Sequence, residues 1–255
     1  MARWIRVEHE GKIKFGTLEG DEITVHQGDM FGRSTPTGER IALQATRLLV
    51  PTEASKMVAL WNNFKMLGAK ANLATPAEPL YFIKATTSFL PGNAVIHKPR
   101  SYDGKVIFEG ELGIVIGKVC RGVSEAQAAE HIFGYTCVND VTAVDLLNKD
   151  PSFSQWTRAK SFDGFGVFGP VVATGLDPLS LVVKSVLAGA ERQNYPITDM
   201  IFPPHRLVSL ISQDLTLLPG DVIACGTNVG VGSMKAGNVI EISITGIGTL
   251  SNTYE

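Results

Sequence analysis

The chain has 255 residues, which is long enough for one large domain or for one domain with a small appendage, and its 44% hydrophobic and 19% charged residues are typical of a globular protein. Its net charge of −2 provides no basic field for nucleic acid and no polybasic anchor for a membrane, so we expect neither partner. The three cysteines form no CxxC pair, residues 1–8 lack the apolar core of a signal peptide, and no apolar run approaches the roughly 18 residues of a membrane helix. We therefore expect a cytoplasmic protein with reduced cysteines.

Residues 1–53 are predicted to form a small N-terminal β domain. Short alternations of apolar and polar residues at 5–7, 13–18 and 23–25 are separated by glycine-containing turns, which indicates an antiparallel meander. A polar loop is expected around residues 32–38.

Residues 54–255 are predicted to form the main domain. Apolar runs bounded by turn residues predict strands at 57–61, 80–83, 135–138 and 222–225, and a last strand at 240–245. The run at 80–83 is interpreted as a buried strand. The βαβ rhythm of a doubly wound sheet is absent, so the predicted fold class is α+β and predominantly β.

Helices are predicted at three places in the main domain. Ser124 and Gln127 form a capping box for a helix that continues to about His131 and is ended by Gly134. The pair Pro203-Pro204 opens a second helix. Residues 62–70 are predicted to be a short helix or a lid-like loop.

Two glutamates interrupt an apolar segment, residues 105–117, that is interpreted as one buried strand. Residues two apart on a strand share a face, so Glu109 and Glu111 are expected to project together. Two ionised carboxylates in an apolar strand repel each other and lose hydration, unless a cation lies between them. Oxygen ligands of this kind suit Mg²⁺ or Mn²⁺ first and Ca²⁺ next. The alternative is an edge strand whose glutamates face water.

Two further groups extend this set. Asp140 is predicted to end the strand at 135–138, where it is either a third metal ligand or a cap. Arg158 and Lys160 follow among aromatic residues and glycines. A lysine near a metal offsets excess negative charge and holds an anionic substrate, although such a lysine can also simply face solvent.

A glycine-rich loop, residues 225–232, follows the predicted strand at 222–225. Its backbone N–H groups are candidates to meet a carboxylate, and the alternative is a wide hairpin loop. The glycine spacing is neither that of a P-loop nor that of a dinucleotide-binding turn. The histidine spacing does not favour zinc, and no GxSxG elbow supports a serine hydrolase.

Six motifs follow one another along the main domain. They are Glu109-Gly110-Glu111-Leu112 with Val115-Ile116-Gly117; Phe133-Gly134-Tyr135-Thr136 with Asn139-Asp140; Arg158-Ala159-Lys160-Ser161-Phe162-Asp163; Leu218-Pro219-Gly220-Asp221-Val222-Ile223; Gly226-Thr227 with Gly230-Val231-Gly232; and Gly246-Ile247-Gly248-Thr249-Leu250. In this order, and over residues 56–253, they resemble the fumarylacetoacetate hydrolase superfamily. The character of the chain is similar to that of its 2-hydroxyhepta-2,4-diene-1,7-dioate isomerase and 5-carboxymethyl-2-hydroxymuconate isomerase members.

The resemblance implies a mixed β-roll main domain, a small N-terminal domain and a homodimer. It implies Mg²⁺ or Mn²⁺ held by Glu109, Glu111 and Asp140. Lys160 is the expected catalytic residue. The expected substrate-binding residues are Arg158, Thr227, Gly226 and Lys84.

Three departures from the superfamily pattern bear on the reaction. Hydrolytic members usually carry Asn-Tyr-x-x-His after the first main-domain strand, whereas this chain has Leu67 where the His would fall. The Arg and Gln of the usual Ala-Arg-Asp-x-x-Gln pattern are replaced by Val144 and Leu147, and the Pro common after Gly-Thr is Asn228. The usual water-activating base and part of the usual anion clamp are therefore absent or supplied by other residues, such as Arg158.

These observations favour a Mg²⁺-dependent enzyme that acts on a 2-oxo or 2-hydroxy-diene dicarboxylic acid through a stabilised enolate. Isomerase (tautomerase) or decarboxylase activity in the breakdown of aromatic compounds is preferred, because only hydrolysis needs a positioned, activated water. The first alternative is a C–C hydrolase of acylpyruvates such as fumarylpyruvate or fumarylacetoacetate. The second is a non-enzymatic homologue that binds a diacid.

Overall fold

The computed structural model describes residues 1–255 and shows an α+β fold built mainly of strands. The N-terminal strands form the predicted antiparallel meander and are β1 (Arg3–His9), β2 (Lys12–Glu19), β3 (Glu22–Gly28), β4 (Ser34–Ala42) and β5 (Arg47–Leu48). The polar loop expected at 32–38 is shorter than predicted, because β4 already begins at Ser34 and pairs with β3.

Fifteen strands follow in the rest of the chain, and most of them are short. They are β6 (Met57–Trp61), β7 (Leu80–Lys84), β8 (Phe89–Leu90), β9 (Val95–Ile96), β10 (Val106–Phe108), β11 (Gly110–Ile116), β12 (Ile132–Asp140), β13 (Thr142–Ala143), β14 (Gly166–Ala173), β15 (Val182–Leu187), β16 (Ala190–Pro196), β17 (Val222–Ala224), β18 (Gly232–Ser233), β19 (Val239–Ile244) and β20 (Gly248–Tyr254).

The α-helices are few and short. They are α1 (Lys65–Lys70), α2 (Glu125–Ala128), α3 (Trp156–Lys160) and α4 (Pro204–Asp214). The capping box of Ser124 and Gln127 is present at the start of α2, and α4 begins at the predicted proline. None of the helices combines the length and the apolar character that crossing a membrane requires.

The strands form three sheets. The largest runs in the order β4-β3-β2-β1-β14-β12-β11-β17-β6-β7, with β5 and β8 paired to its side. A five-stranded sheet, β16-β15-β19-β20-β9, and a three-stranded sheet, β13-β10-β18, complete the fold. Because β1 pairs with β14, the N-terminal meander is continuous with the largest sheet of the main domain.

The largest sheet separates two apolar clusters. On β11, Leu112, Ile114 and Ile116 belong to the larger cluster, whereas Val115 belongs to the smaller one. Since side chains alternate along a strand, Glu111 lies on the face of the smaller cluster. This face therefore carries the candidate site.

The single strand predicted for residues 105–117 is wrong. The strand is interrupted at Glu109, so that β10 joins the three-stranded sheet and β11 joins the largest sheet. Two hydrogen bonds to β12 fix the backbone of Glu109. Its N–H donates to the Asn139 side chain, and its carbonyl accepts from the Asp140 N–H. The alternation of apolar and polar residues in the sequence does not show where a strand ends and the next residues pair with a different strand.

Three smaller expectations are also corrected. A 3-10 turn continues α2 to His131, as predicted, but Gly134 does not end the helix, because it lies inside β12, where a Cβ would clash with the Ala173 carbonyl. The strand at 80–83 is present but is not buried throughout, because β7 is the edge strand and Leu80 is 45% exposed. The strand at 240–245 is not the last, because β20 follows and pairs with it.

Candidate metal centre

Glu109, Glu111 and Asp140 converge at the junction of β10, β11 and β12. Carboxylate oxygens of all three residues lie within 4.8 Å of one another, and all three side chains are buried. Glu109 lies at the break between β10 and β11, Glu111 lies on β11, and Asp140 ends β12. The pairing of β11 with β12 therefore brings the three residues together. The grouping is the one expected from the sequence.

Two lysines lie against these carboxylates. The Lys160 ammonium lies 2.9 Å from Glu109 Oε1 and 2.5 Å from Asp140 Oδ2, and the Lys84 ammonium pairs with Asp140 Oδ1. Both lysines are buried, Lys84 completely. Lys84, predicted to be a substrate-binding residue, thus contacts a carboxylate of the cluster.

Arg158 is not brought to the cluster. Its side chain is exposed on α3, and its guanidinium donates to Gln155 at 3.0 Å. On this short helix, Ala159 and Lys160 face inward while Arg158 faces out. Lys84, rather than Arg158, supplies the second positive charge near the carboxylates.

Burial and the charges together set the protonation of the cluster. Burial opposes the charge on Asp140, but Lys160 and Lys84 outweigh it and hold the pKa of Asp140 below its ordinary value. Burial also opposes the charge on Lys160, but Asp140, Glu109 and Glu111 raise the pKa of Lys160 above its ordinary value. For Lys84, burial dominates and lowers the pKa, with Asp140 acting against it.

Glu111 lacks compensation of this kind. Burial, reinforced by the charges of Asp140 and Glu109, raises the pKa of Glu111 well above its ordinary value. Its Oε2 accepts a hydrogen bond of 2.8 Å from the Gly226 N–H, but its Oε1 is buried without any partner. A buried oxygen with no partner beside two other carboxylates is what a bound cation would satisfy. The residues present therefore fit a hard divalent cation with oxygen ligands.

The glycine-rich loop supports the cluster from the side of β17. Gly226 donates its backbone N–H to Glu111, a carboxylate of the protein itself, and the Thr227 hydroxyl donates to the Gly110 carbonyl at 2.9 Å. Gly226 and Thr227, which were predicted to bind substrate, therefore lie at the cluster.

Sequence reasoning missed Gln193 and Thr142. The Gln193 amide oxygen accepts from the Gly110 N–H at 3.1 Å, and its amide nitrogen donates to Thr227 Oγ1 at 2.9 Å. The Thr142 hydroxyl donates to Glu109 at 2.6 Å. Gln193 lies on β16, a polar strand distant in sequence, so no local pattern marks it. Thr142, two residues after Asp140, could have been found from its place just beyond the end of β12, where β13 begins.

Two of the three departures from the superfamily pattern, Leu67 and Asn228, are linked in the structure. Leu67 lies on α1, half-buried against the larger apolar cluster. Asn228 donates to Asp199 at 2.8 Å, and the same carboxylate oxygen accepts from the Met66 N–H of α1 at 3.1 Å. Asn228 therefore links the glycine-rich loop to the helix that carries Leu67.

The buried carboxylate trio on this mixed β fold is a candidate metal centre. The sequence pattern described as fumarylacetoacetate (FAA) hydrolase C-terminal matches residues 56–255, and one described as Rv2993c-like N-terminal matches residues 2–51. The chain belongs to the fumarylacetoacetate hydrolase superfamily.

Two solved structures and one further protein are similar to this chain over most of its length. A crystal structure of 2-hydroxyhepta-2,4-diene-1,7-dioate isomerase from Mycobacterium marinum is 37% identical, with a TM-score of 0.91 and coverage of 100% of this chain and 98% of that one. An X-ray structure of 5-carboxymethyl-2-hydroxymuconate delta-isomerase from Mycobacterium smegmatis is 38% identical, with a TM-score of 0.91 and coverage of 99% and 98%. A 2,4-didehydro-3-deoxy-L-rhamnonate hydrolase from a Sphingomonas species is 36% identical over 206 residues, which are 76% of this chain and 71% of that protein.

Proposed function

We propose that the protein is a Mg²⁺- or Mn²⁺-dependent enzyme that acts on a 2-oxo acid through its enolate, as an isomerase (tautomerase) or a decarboxylase. The first candidate substrates are the 2-oxo and 2-hydroxy-diene dicarboxylic acids of aromatic-compound breakdown, in keeping with the names of the two isomerases it resembles. The observation that carries the proposal is the buried Glu111 oxygen without a partner, beside Glu109 and Asp140.

The cation supplies Lewis-acid chemistry, which stabilises negative charge developing on the keto oxygen of a chelating 2-oxo acid. The residues of the chain do the remaining work. Glu109, Glu111 and Asp140 hold the cation, while Lys84 orients Asp140 through their ion pair. Lys160, already 2.5 Å from Asp140, places a positive charge next to the anionic substrate. Because these side chains are buried, solvent screens their charges less than it would at the surface.

Hydrolysis is the second candidate, because one relative is named a hydrolase. Only hydrolysis requires a residue that activates water. Leu67 occupies the position of the usual His, and its side chain has no group that accepts a proton. This difference places isomerisation and decarboxylation ahead of hydrolysis.

The test is an ultraviolet assay of the purified protein with and without Mg²⁺, using oxaloacetate, acylpyruvates and 2-hydroxymuconate-type diacids. We expect a Mg²⁺-dependent spectral change without release of pyruvate from acylpyruvates. Release of pyruvate would reverse the order in favour of the hydrolase. No metal-dependent change with any of these compounds would reject the enzymatic function and leave the diacid-binding alternative.

A further inference from the structure

A groove of about 410 Å³ lies beside the metal centre, and nothing in the proposed function uses it. Its lining is apolar and largely aromatic, and consists of Trp61, Pro79, Leu80, Tyr81, Phe82 and Trp156. Three of these residues come from the edge strand β7, and Trp156 comes from the helix α3 above it. No side chain in this lining carries a formal charge at neutral pH.

The sheet register places the groove on the same face as the carboxylates. Ala224 of β17 pairs with Gly113 on one side and with Ala59 on the other. Glu111 and Trp61 each lie two residues from these positions, so their side chains share the face. They also lie at the same end of the sheet, because β6 runs parallel to β17 and β11 runs antiparallel to it. The groove begins two strands away from Glu111.

A second link runs through α3. Trp156 begins this helix and Lys160 ends it. The Trp156 ring stacks on Phe82 with centroids 5.3 Å apart and an interplanar angle of 18°, and lies 5.1 Å from Trp61. The Lys160 ammonium lies 5.4 Å from the centroid of Phe82. Phe82 of the groove therefore lies next to the Lys160 ammonium, which is expected to face the substrate.

The charges of the site indicate what the groove accepts. Three carboxylates and two ammonium groups leave one net negative charge, and a divalent cation changes this to one net positive charge. One substrate carboxylate neutralises that charge. A second carboxylate placed in the uncharged aromatic groove would lose its hydration with no cation in the lining to compensate.

We propose that the groove binds the tail of the substrate, and that this tail is apolar and planar, like an aryl or conjugated alkenyl group. The inference rests on the proposed function, because it takes the 2-oxo acid head to lie at the metal centre. It narrows the substrate to a 2-oxo acid with a single carboxylate, in place of the dicarboxylic acids that the names of the two isomerases suggest. Flat aromatic walls favour a flat ligand, since stacked and edge-to-face contacts add to the burial of apolar area.

Three ligands with one common head test the inference by isothermal titration calorimetry on the Mg²⁺-loaded protein. They are 2-oxobutanoate, 4-phenyl-2-oxobutanoate and 2-oxoglutarate, which differ only in hydrogen, phenyl or carboxylate on carbon 4. We expect the phenyl ligand to bind about tenfold tighter than 2-oxobutanoate, or better, and 2-oxoglutarate to bind no tighter than 2-oxobutanoate.

Groove variants locate the effect. Trp61→Ala is expected to remove most of the advantage of the phenyl ligand. Leu80→Lys, at a position 45% exposed, is expected to reverse the preference towards 2-oxoglutarate. Leu179→Lys, at a leucine that is 50% exposed and outside the groove, is the matched control and is expected to keep the wild-type ratios.

The failures of the two proposals are distinguishable. If all three ligands bind equally, or if 2-oxoglutarate binds best to the wild type, the tail inference is wrong and the metal-centred function stands. If none of them binds, both are wrong. If Trp61→Ala and Leu80→Lys instead change the oligomeric state in size-exclusion chromatography, the groove is a contact between two copies of the chain and the tail inference is overturned.

Discussion

At the scale of single residues, Glu111 is the side chain whose surroundings conflict with its charge. Changing it to Gln removes the charge and keeps the shape. We expect Glu111→Gln to stabilise the metal-free protein by about 1–3 kcal/mol, because an amide N–H group that can donate to Glu109 or Asp140 replaces the oxygen that has no partner. Thermal unfolding in EDTA measures this. A lower melting temperature for the variant would contradict the description of the site.

The same variant should respond differently to metal. A ligand that binds only the folded state stabilises it by about 2.7 kcal/mol at 100 times its Kd. We expect added Mn²⁺ to raise the melting temperature of the wild type and to leave that of Glu111→Gln unchanged. Glu191→Gln, at a surface carboxylate paired with Lys184, is the control and should respond like the wild type.

Lys160 separates substrate chemistry from metal binding. Its ammonium contacts two of the carboxylates, so removing it takes away a positive charge that competes with the cation. We expect Lys160→Ala to lower kcat by about 10²-fold or more while Mn²⁺ affinity is kept or increased. Activity on the substrate found in the ultraviolet assay and a Mn²⁺ titration check the two halves. Lost metal affinity would show that Lys160 holds the site together instead.

Gln193 is expected to position the loop that carries Thr227. Its amide joins Gly110 to Thr227 and Asn228, so Gln193→Leu leaves several buried groups without partners. We expect a loss of about 1–3 kcal/mol in stability and a higher KM. Gln193→Glu keeps the acceptor towards Gly110 but loses the donor to Thr227. An effect on KM as large as that of the leucine variant, with less loss of stability, would identify the Thr227 contact as the one that matters.

At the scale of elements, the break between β10 and β11 brings the side chains of Glu109 and Glu111 together, and Gly110 lies between these two residues. A Cβ at this position would collide with the Ser185 hydroxyl and lie 2.9 Å from Gln193 Oε1. We expect Gly110→Ala to lower stability and Mn²⁺ affinity together. The double variant Gly110→Ala/Ser185→Ala removes the nearest obstacle and should recover part of both. Urea unfolding and Mn²⁺ titration measure them, and a harmless Gly110→Ala would contradict the close packing.

The elements also show where sequence patterns are sufficient. Strand β6 and helix α4 have the predicted positions, because an apolar run bounded by turns and a proline start are local signals. The break at Glu109 and the exposure of β7 were not predictable in this way. Both depend on which strand becomes the neighbour, and that is decided by residues far away in the chain.

At the scale of the whole molecule, the α+β class and the superfamily follow from the ordered motifs, and the structure and the family match confirm both. The carboxylate trio could be predicted because its members lie in those motifs. Arg158 was expected at the site as a replacement for part of the missing anion clamp, but on α3 it faces outward while Lys160 faces inward. The contribution of Gln193 needed the five-stranded sheet to pack against the site, which no local pattern describes.

The proposed chemistry requires one divalent cation per chain at Glu109, Glu111 and Asp140. Its most direct test is a Mn²⁺ titration of the metal-free protein by electron paramagnetic resonance, with Glu109→Gln as the variant and Glu191→Gln as the control. We predict one bound Mn²⁺ per chain in the wild type and the control, displaced by Mg²⁺, and at least tenfold weaker binding in Glu109→Gln with the fold unchanged. Equal Mn²⁺ binding by Glu109→Gln and the wild type, or none by the wild type, would contradict the account.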